Sequence, residues 1–301
     1  MTSVLFDAPG PRAKGRNILY SVLFVIVAAF VVWWIVVKLD DKHQLDWAKW
    51  KPFFTDSQAW TTYLLPGLGQ TLLAAAISMV IALPLGAAFG IARLSDHAWV
   101  RVPAATIVEF FRSIPVLIMM LIAFEVYAQY TSVSTDDRPL YAVVTGLVLY
   151  NASVLAEIVR AGILSLPKGQ TEAAHAIGLR KGQTMRSILL PQSITAMLPA
   201  IVSQLVVIVK DTAIGGSLVN FSELINSVRP LSAAYGANTI ACFTVVAVIY
   251  IIVNFSLTSF ATWLEKRLRA GKKSTGAVLS AASVDTGGTG TTGVQPVKAD
   301  A

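Results

Sequence analysis

Charged side chains are scarce in this 301-residue chain. Asp, Glu, Lys and Arg make up 14% of it, whereas hydrophobic residues make up 55%, and the mean hydropathy is +0.64. A soluble domain of this length needs more polar surface than that to cover its core. The composition excludes an ordinary soluble globular protein and predicts an all-α, polytopic membrane protein.

Cysteine and histidine are also rare. The single cysteine, Cys242, lies in an apolar run, which excludes a disulfide framework. The three histidines, His43, His97 and His175, lack the spacing of metal ligands. No GxxxxGK[ST] motif occurs, so this chain does not bind ATP through a P-loop. The sequence predicts no catalytic residues, no metal and no cofactor in this chain.

The net charge of +7 does not indicate a nucleic-acid partner, because basic residues of membrane proteins gather on the cytoplasmic side.

Long apolar runs are abundant, and a membrane-spanning helix needs about 20 such residues. Six runs qualify: Ile18–Val37, Tyr63–Ala92, Val102–Ala128, Leu140–Leu164, Ile188–Val209 and Thr239–Trp263. The first is too long for the core of a signal peptide, and no small-residue cleavage site follows it. We therefore expect residues 1–17 to be a cytoplasmic segment and residues 18–37 to be a retained, additional first helix.

Basic residues gather on one side of this six-helix arrangement. They are Arg12, Lys14, Arg16, Arg93, Arg101, Lys168, Arg180, Lys181, Arg186, Lys266, Arg267, Arg269, Lys272 and Lys273. The opposite loops are mixed (DDKHQLDWAKWK) or acidic (STDDRP). The positive-inside rule predicts that both termini are cytoplasmic. Residues 270–301 are rich in Ser, Thr, Gly and Ala without periodicity, which predicts a disordered tail.

A polar, basic stretch, TEAAHAIGLRKGQTMRSILLPQS, interrupts the apolar runs between the fourth and fifth helices. We expect Thr171 to cap a short helix with Glu172 in its first turn, and Gly178 to allow the turn that ends it. A second short helix leads to Leu190 and Pro191. Short polar helices gain little stability from propensity alone, so the pair is better explained as a docking surface than as a solvated loop.

The same stretch resembles the signature loop of permease subunits of ABC importers. The pattern E-A-A-x-x-x-G, nine residues and I-x-L-P is matched throughout, by Glu172, Ala173, Ala174, Gly178, Ile188, Leu190 and Pro191. The resemblance implies that residues 165–187 form a coupling loop that inserts into an ATP-hydrolysing partner subunit. That partner would hold the ATP and Mg, and its closing motion would pass into the membrane. The implied coupling residues are Glu172, Ala173, Ala174, Gly178, Leu190 and Pro191.

Further segments resemble the polar amino-acid branch of these permeases. They are GLGQTLLAAA, EFFRSIPVLIMML, AEIVRAGILSLPKGQ, LPQSITAMLP and KDTAIGGSLV. The resemblance implies a permease domain over residues 63–268 in a bacterial inner or plasma membrane. It also implies a second permease core, identical or paralogous, and an extracytoplasmic binding protein. Ser113-Ile114 departs from the usual Gly-Thr before the proline.

The extra first helix, the N-terminal extension and the polar tail look most like those of actinobacterial glutamate permeases. Glutamate is therefore the expected substrate. Glutamine, aspartate and arginine remain alternatives, as does a self-sufficient secondary carrier or channel, which would need no nucleotide-hydrolysing partner.

Charges inside a span are candidates for function, because each costs about 2.5–3.5 kcal/mol on insertion scales. Arg112 lies about 15 Å into the third predicted helix, with Glu109 on the same face. Arg112 is interpreted either as a bidentate partner of a substrate carboxylate or as half of a structural pair with Glu109 or Glu157.

Other polar residues suggest a path through the membrane. Gly146, Tyr150, Ser153, Glu157 and Arg160 form one stripe on the fourth helix. Tyr150 is placed near mid-membrane, whereas Glu157 and Arg160 are expected to be structural or part of an inner gate.

The second and fifth helices add further candidates. Thr71 and Ser78 share a face and could line the path, although hydroxyls more often bond a nearby backbone carbonyl. Gln204 and Asp211 share a face and could form an outer gate or meet the binding protein. The small residues Ala82, Gly86 and Gly90 predict a helix-packing ridge.

Overall fold

The computed structural model describes residues 10–270, apart from the side chains of Pro11, Glu265 and residues 268–270. Within this part of the chain every regular element is helical, as the composition predicts. The α-helices are α1 (Pro11–Asp41), α2 (Trp47–Trp50), α3 (Pro52–Thr55), α4 (Leu65–Ala92), α5 (Ala98–Ser113), α6 (Val116–Tyr130), α7 (Arg138–Leu164), α8 (Lys168–Ala176), α9 (Lys181–Thr184), α10 (Leu190–Leu218), α11 (Val228–Ala234) and α12 (Thr239–Ala270). Two π-helical segments, Ala59–Leu64 and Met185–Leu189, precede α4 and α10.

Five helical stretches of the described chain are long and apolar enough to cross a membrane. They are Arg12–Asp41, Ala59–Ala92, Arg138–Leu164, Lys181–Leu218 and Thr239–Leu264. A sixth span exists if the broken pair α5 and α6 is counted as one.

The third predicted helix is not continuous. Instead of one helix over Val102–Ala128, α5 and α6 meet at a bend of 98°. Ile114, before Pro115, has extended backbone angles (φ −90°, ψ 130°), which is the conformation that a following proline favours. Arg112 therefore lies at the end of α5 beside the bend, and not in the interior of a straight helix.

The fifth predicted helix continues beyond Val209. Helix α10 runs to Leu218, so Lys210-Asp211-Thr212 lie about two turns before its end. The chain leaves the helix at Asn220, whose φ of 55° is a left-handed conformation that asparagine tolerates. Helix α12 extends the last predicted span to Ala270, and the predicted tail beyond it lies outside the described residues.

The described chain divides into two compact units, residues 10–70 with Ser222–Ile249 and residues 71–221 with residues 250–270. In the first unit, side chains tie the segment after α1 to the end of α11. Lys49 Nζ donates to Gly236 O at 2.6 Å, and Asn238 Nδ2 donates to Lys49 O at 3.0 Å. The Tyr235 hydroxyl donates to Asp56 Oδ2 at 2.6 Å.

Helix α1 has no buried residue in its most apolar window, whose mean hydropathy is 2.8. Phe24, for example, is 72% exposed. A helix that is apolar around its whole circumference and uncovered by protein fits one that is surrounded by lipid.

The core of the second unit is built around α7. Met120 of α6, Val143 and Leu147 of α7, and Ile208 and Val209 of α10 are buried in one apolar cluster. These large side chains fix the helices that carry the polar groups described below.

The predicted small-residue ridge of α4 packs against α7. A Cβ atom on Gly86 would lie 2.9 Å from Ala152 O, and one on Gly90 would lie 2.6 Å from Ala156 O. The absence of side chains at both glycines therefore lets the two backbones approach closely.

Candidate coupling loop and ion-pair network

The first helix of the polar stretch starts earlier than the sequence predicts. Helix α8 begins at Lys168 with Pro167 at its N-cap position, and not at Thr171. Pro167 has extended angles (φ −56°, ψ 133°), so the chain can turn into the helix directly after it. Glu172 is consequently the fifth helical residue and lies beyond the first turn.

The turn that ends α8 forms as predicted. Gly178 has a φ of +82°, and its N–H bonds His175 O at 2.9 Å, while Leu179 N–H bonds Ala174 O at 3.0 Å. This pair of bonds is a Schellman motif, in which glycine occupies the left-handed position because it has no Cβ.

The two faces of α8 differ in exposure. Glu172 and Ala173 are exposed, whereas Ala174 is only 2% exposed. Ile177, directly after the helix, is 76% exposed. A large apolar side chain thus projects from an otherwise polar loop.

The connection back into the long helix is compact. Gln183 Oε1 accepts the Arg180 backbone N–H at 2.9 Å at the start of α9. After the π-helical segment, α10 begins at Leu190, and Pro191 is its second residue.

The end of this loop is anchored by an apolar cluster. Leu189 is buried with Val159 and Ile163 of α7, and Leu94 and Met185 pack against the same cluster. The end of α4 and the second half of the loop therefore share one apolar core.

A polar contact joins the same two segments. Lys181 Nζ lies 2.5 Å from Asp96 Oδ1 and donates to Leu94 O at 2.9 Å. The hydrogen bond from Lys181 holds the pKa of Asp96 below its usual value, because it stabilises the carboxylate form.

Ion pairs connect the ends of α4, α5 and α7. Arg93 Nη1 lies 2.8 Å from Glu157 Oε2 of α7, and Arg93 Nη2 lies 2.9 Å from Glu109 Oε1 of α5. Arg160 Nη2 lies 2.5 Å from Glu157 Oε1, and Arg112 Nη2 lies 3.4 Å from Glu109 Oε2. We call these five residues the ion-pair network.

The network shows which of the two carboxylates predicted as structural partners, Glu109 or Glu157, pairs with Arg112. Among the described residues its ion pair is with Glu109, while Glu157 is held by Arg93 and Arg160. Sequence reasoning missed Arg93, which it counted only as a loop charge. Its position directly after a long apolar helix, with two carboxylates in later spans, was the available signal.

A second polar contact lies deeper in the helices. Gln204 Nε2 of α10 donates to Asn151 Oδ1 of α7 at 2.5 Å, and Asn151 Nδ2 donates to Leu147 O at 2.7 Å. Asn151 is fully buried and Gln204 is 9% exposed. Asn151 was missed because it lies off the predicted stripe, directly after Tyr150.

The remaining candidates lie outside these two groups. Tyr150 and Asp211 are half-buried, and Thr71 is fully buried. Ser78 Oγ is buried without a hydrogen-bond partner, so the expected bond to a backbone carbonyl is not formed. Among the described residues no group of three or more His, Cys, Asp or Glu side chains could hold a metal ion.

Residues 82–270 match the family described as the binding-protein-dependent transport system inner membrane component. The chain belongs to this family. The match contains the coupling loop, the ion-pair network and the Gln204–Asn151 contact. This protein is therefore a transporter component of the inner membrane.

Curated relatives agree with this assignment. The chain is 49% identical over 234 residues to the glutamate transport system permease protein GluD of Corynebacterium glutamicum. This alignment covers 78% of the present chain and 85% of GluD. It is 32% identical over 213 residues to the probable glutamine ABC transporter permease protein GlnP of Bacillus subtilis, covering 70% of this chain and 96% of that protein.

A solved structure shares the fold. It is described as an amino acid ABC transporter with histidines, and it superimposes with a TM-score of 0.60 at 25% identity. The superposition covers 67% of this chain and 92% of that chain. The fold of the permease is that of an ABC importer.

Proposed function

We propose that this chain is the translocating subunit of an ATP-driven importer that moves a polar amino acid, glutamate foremost, into the cell. The observation that carries the proposal is the coupling loop, in which a Schellman turn at Gly178 presents the exposed Ile177 outside the apolar helices. The 49% identity to a glutamate transport permease supports glutamate as the substrate.

The proposed partner at this loop is a separate ATP-hydrolysing subunit that holds the ATP and Mg. Glu172, Ala173 and Ile177 are exposed, and we assign the contact surface to them. Ala174 is buried within this chain, so its role is to pack α8 rather than to touch the partner. Leu190 and Pro191 fix the start of α10, through which movement of the loop enters the membrane.

The transport cycle follows from this placement. Two permease cores, identical or paralogous, face each other, and a binding protein delivers the amino acid from outside. Closure of the ATP-hydrolysing subunits draws the two coupling loops together. Because each loop continues directly into α10, the membrane helices move with it and open the path between the two cores to the other side.

Arg112 is the proposed contact for the substrate carboxylate. Its side chain is 42% exposed and has one carboxylate at 3.4 Å, whereas Arg93 is 11% exposed between two. A planar guanidinium with N–H groups to spare can still donate to a second carboxylate. Tyr150, Thr71, Gln204, Asp211 and Glu157 complete the proposed path or its gates.

A conservative substitution tests the role of Arg112. We expect Arg112→Lys to weaken uptake and substrate affinity while ATP hydrolysis persists, because an ammonium does not replace the planar fork. Arg16→Lys is the matched control, since Arg16 is an exposed residue of α1, which carries none of the proposed path. Normal affinity in Arg112→Lys would assign Arg112 to the structural pair with Glu109 alone.

We propose that both termini and the coupling loop lie in the cytoplasm, as the charge asymmetry of the loops predicts. In a Cys242→Ala background, a cysteine at Asp46 should react with an impermeant thiol reagent from outside the cell. A cysteine at Gly182 should react only after permeabilisation. The opposite pattern would reverse the proposed topology.

Reconstitution tests the function itself. We expect liposomes with the permease, its ATP-hydrolysing partner, internal ATP and the binding protein to take up glutamate. Liposomes with the permease alone should not. Competition by glutamine, aspartate and arginine ranks the alternative substrates. Uptake by the permease alone would instead favour a secondary carrier or channel.

A further inference from the structure

The turn between α4 and α5, residues 93–97, contacts both functional groups of this unit. On one side Leu94 packs against the apolar cluster that includes Met185 and Leu189, and its carbonyl accepts a hydrogen bond from Lys181. On the other side Arg93 holds Glu109 and Glu157. Two consecutive residues therefore face the coupling loop and the ion-pair network.

The covalent geometry makes this link stiff. Consecutive Cα atoms are about 3.8 Å apart across a planar peptide, so Leu94 cannot be displaced far without moving Arg93. The Arg93 side chain is 11% exposed and bonds two carboxylates on different helices at 2.8 and 2.9 Å. A forked guanidinium held at both nitrogens resists reorientation.

We propose that the turn 93–97 relays movement of the coupling loop to the ion-pair network, with Lys181 and Asp96 as the positioning residues that hold the turn to the loop. The relay rests on the proposed function and adds a route to it. Movement enters the membrane through α10 directly and through the turn to the ends of α4, α5 and α7.

The contact between Lys181 and Asp96 can be removed to test whether the turn transmits movement. The two side chains are 47% and 72% exposed, and exposed ion pairs contribute little to folding stability. Removing the contact should therefore leave assembly intact. A change in uptake per ATP hydrolysed would then report on transmission and not on loss of structure.

The experiment compares the Lys181→Met, Lys181→Asp and Asp96→Lys variants, and the double exchange Lys181→Asp with Asp96→Lys, in the reconstituted complex. Each single variant should lower uptake per ATP hydrolysed about two- to fivefold, as expected for an exposed pair, with normal co-purification of the ATP-hydrolysing subunit. The double exchange should restore at least half of the loss. Lys266→Met, which changes an exposed lysine of α12, is the control.

The outcomes separate this relay from the proposed function. Wild-type uptake per ATP in every single variant would overturn the relay while ATP-driven import stands. Loss of co-purification in Lys181→Met would also overturn it, because Lys181 would then belong to the docking surface. No recovery in the double exchange would show that the ion pair does not carry the effect. Absence of ATP-dependent uptake by the wild-type complex would overturn both proposals.

Discussion

Arg93, directly after α4, lies 2.8 Å from the carboxylate of Glu157 on α7. The same guanidinium reaches Glu109 of α5 at 2.9 Å, so one side chain joins the ends of three helices. Of the side chains in ion pairs among the described residues, that of Arg93 is the least exposed, at 11%. Removing one member of an ion pair that is so little exposed to water leaves the other charge uncompensated, which destabilises the folded protein.

We expect Arg93→Gln to destabilise the protein by about 1.5–3 kcal/mol, the usual range for hydrogen bonds to charged groups. The stability of Arg93→Lys should fall between those of the wild type and Arg93→Gln, because one ammonium cannot hold both carboxylates in the planar geometry. The measurement is the thermal unfolding of the purified protein in detergent. Arg16→Gln, which changes an exposed arginine of α1, should have little effect. Equal losses in Arg93→Gln and Arg16→Gln would contradict the importance given to Arg93.

The close contact of α4 with α7 predicts a steric effect at Gly86. A Cβ atom there would lie 2.6 Å from Leu155 Cβ and 2.9 Å from Ala152 O. Gly86→Ala should cost about 1–3 kcal/mol of stability through overpacking. Gly69→Ala, in the same helix but with nothing within 4 Å of the new atom, should be neutral or stabilising. A stabilising Gly86→Ala would show that the two helices separate easily.

The buried amide contact between Gln204 and Asn151 predicts non-additive substitutions. Gln204→Leu leaves Asn151 Oδ1 buried without its donor, which should cost about 1–3 kcal/mol. Replacing both residues by leucine removes the unpaired group, so the double variant should lose less than the sum of the single losses. Thermal unfolding of the four proteins completes the cycle. Additive losses would mean that the contact is not coupled.

The Tyr235–Asp56 hydrogen bond predicts a pH dependence in the first unit. Tyr235 donates to Asp56 at 2.6 Å. This bond lowers the pKa of Asp56 and raises the pKa of Tyr235 to about 12. The stabilisation that the ionised Asp56 gives to the folded state is fully present above the pKa of this group in the unfolded chain, about 3.9. It is lost as pH falls through the lower pKa of Asp56 in the folded protein. The tyrosine contribution is present below about pH 10 and is lost as pH rises through about 12.

The corresponding variant is Tyr235→Phe. The difference in melting temperature between wild type and Tyr235→Phe should be constant from about pH 5 to pH 9 and should shrink in acid. Measuring both proteins across this range checks the effect. A difference that does not change down to pH 3 would show that Asp56 is not the titrating partner.

Local chemistry explains which features could be predicted from the sequence. The apolar runs predicted the spans because lipid requires long apolar helices. Gly178 was predicted at a left-handed turn because it follows a short helix, and its φ of +82° confirms this. The ridge at Gly86 and Gly90 was also predictable, since small residues at helical spacing allow helices to approach closely.

The features that were missed depend on contacts distant in sequence. The sequence shows Pro115, but membrane helices tolerate proline, so proline alone does not predict a break. The 98° bend became evident only from the extended backbone of Ile114. Asn151 finds its partner Gln204 on another helix, 53 positions away. Arg93 and Glu157 are 64 positions apart. No local pattern specifies which distant polar groups meet when the helices pack.

Gly178 is the residue at which the proposed role of the coupling loop can be tested most directly. At a φ of +82°, asparagine is tolerated, whereas arginine adds strain and a long charged side chain at the exposed turn. The protein with Gly178→Asn should therefore retain most of its activity.

The decisive measurement is co-purification of the ATP-hydrolysing subunit with the Gly178→Arg permease, together with substrate-stimulated ATP hydrolysis in liposomes. We predict that Gly178→Arg abolishes stimulated hydrolysis and weakens or removes the bound subunit, while the permease still inserts and purifies as a folded protein. Gly178→Asn should behave like the wild type in both assays. Normal co-purification together with normal stimulated hydrolysis in Gly178→Arg would contradict the assignment of this loop to ATP-driven coupling.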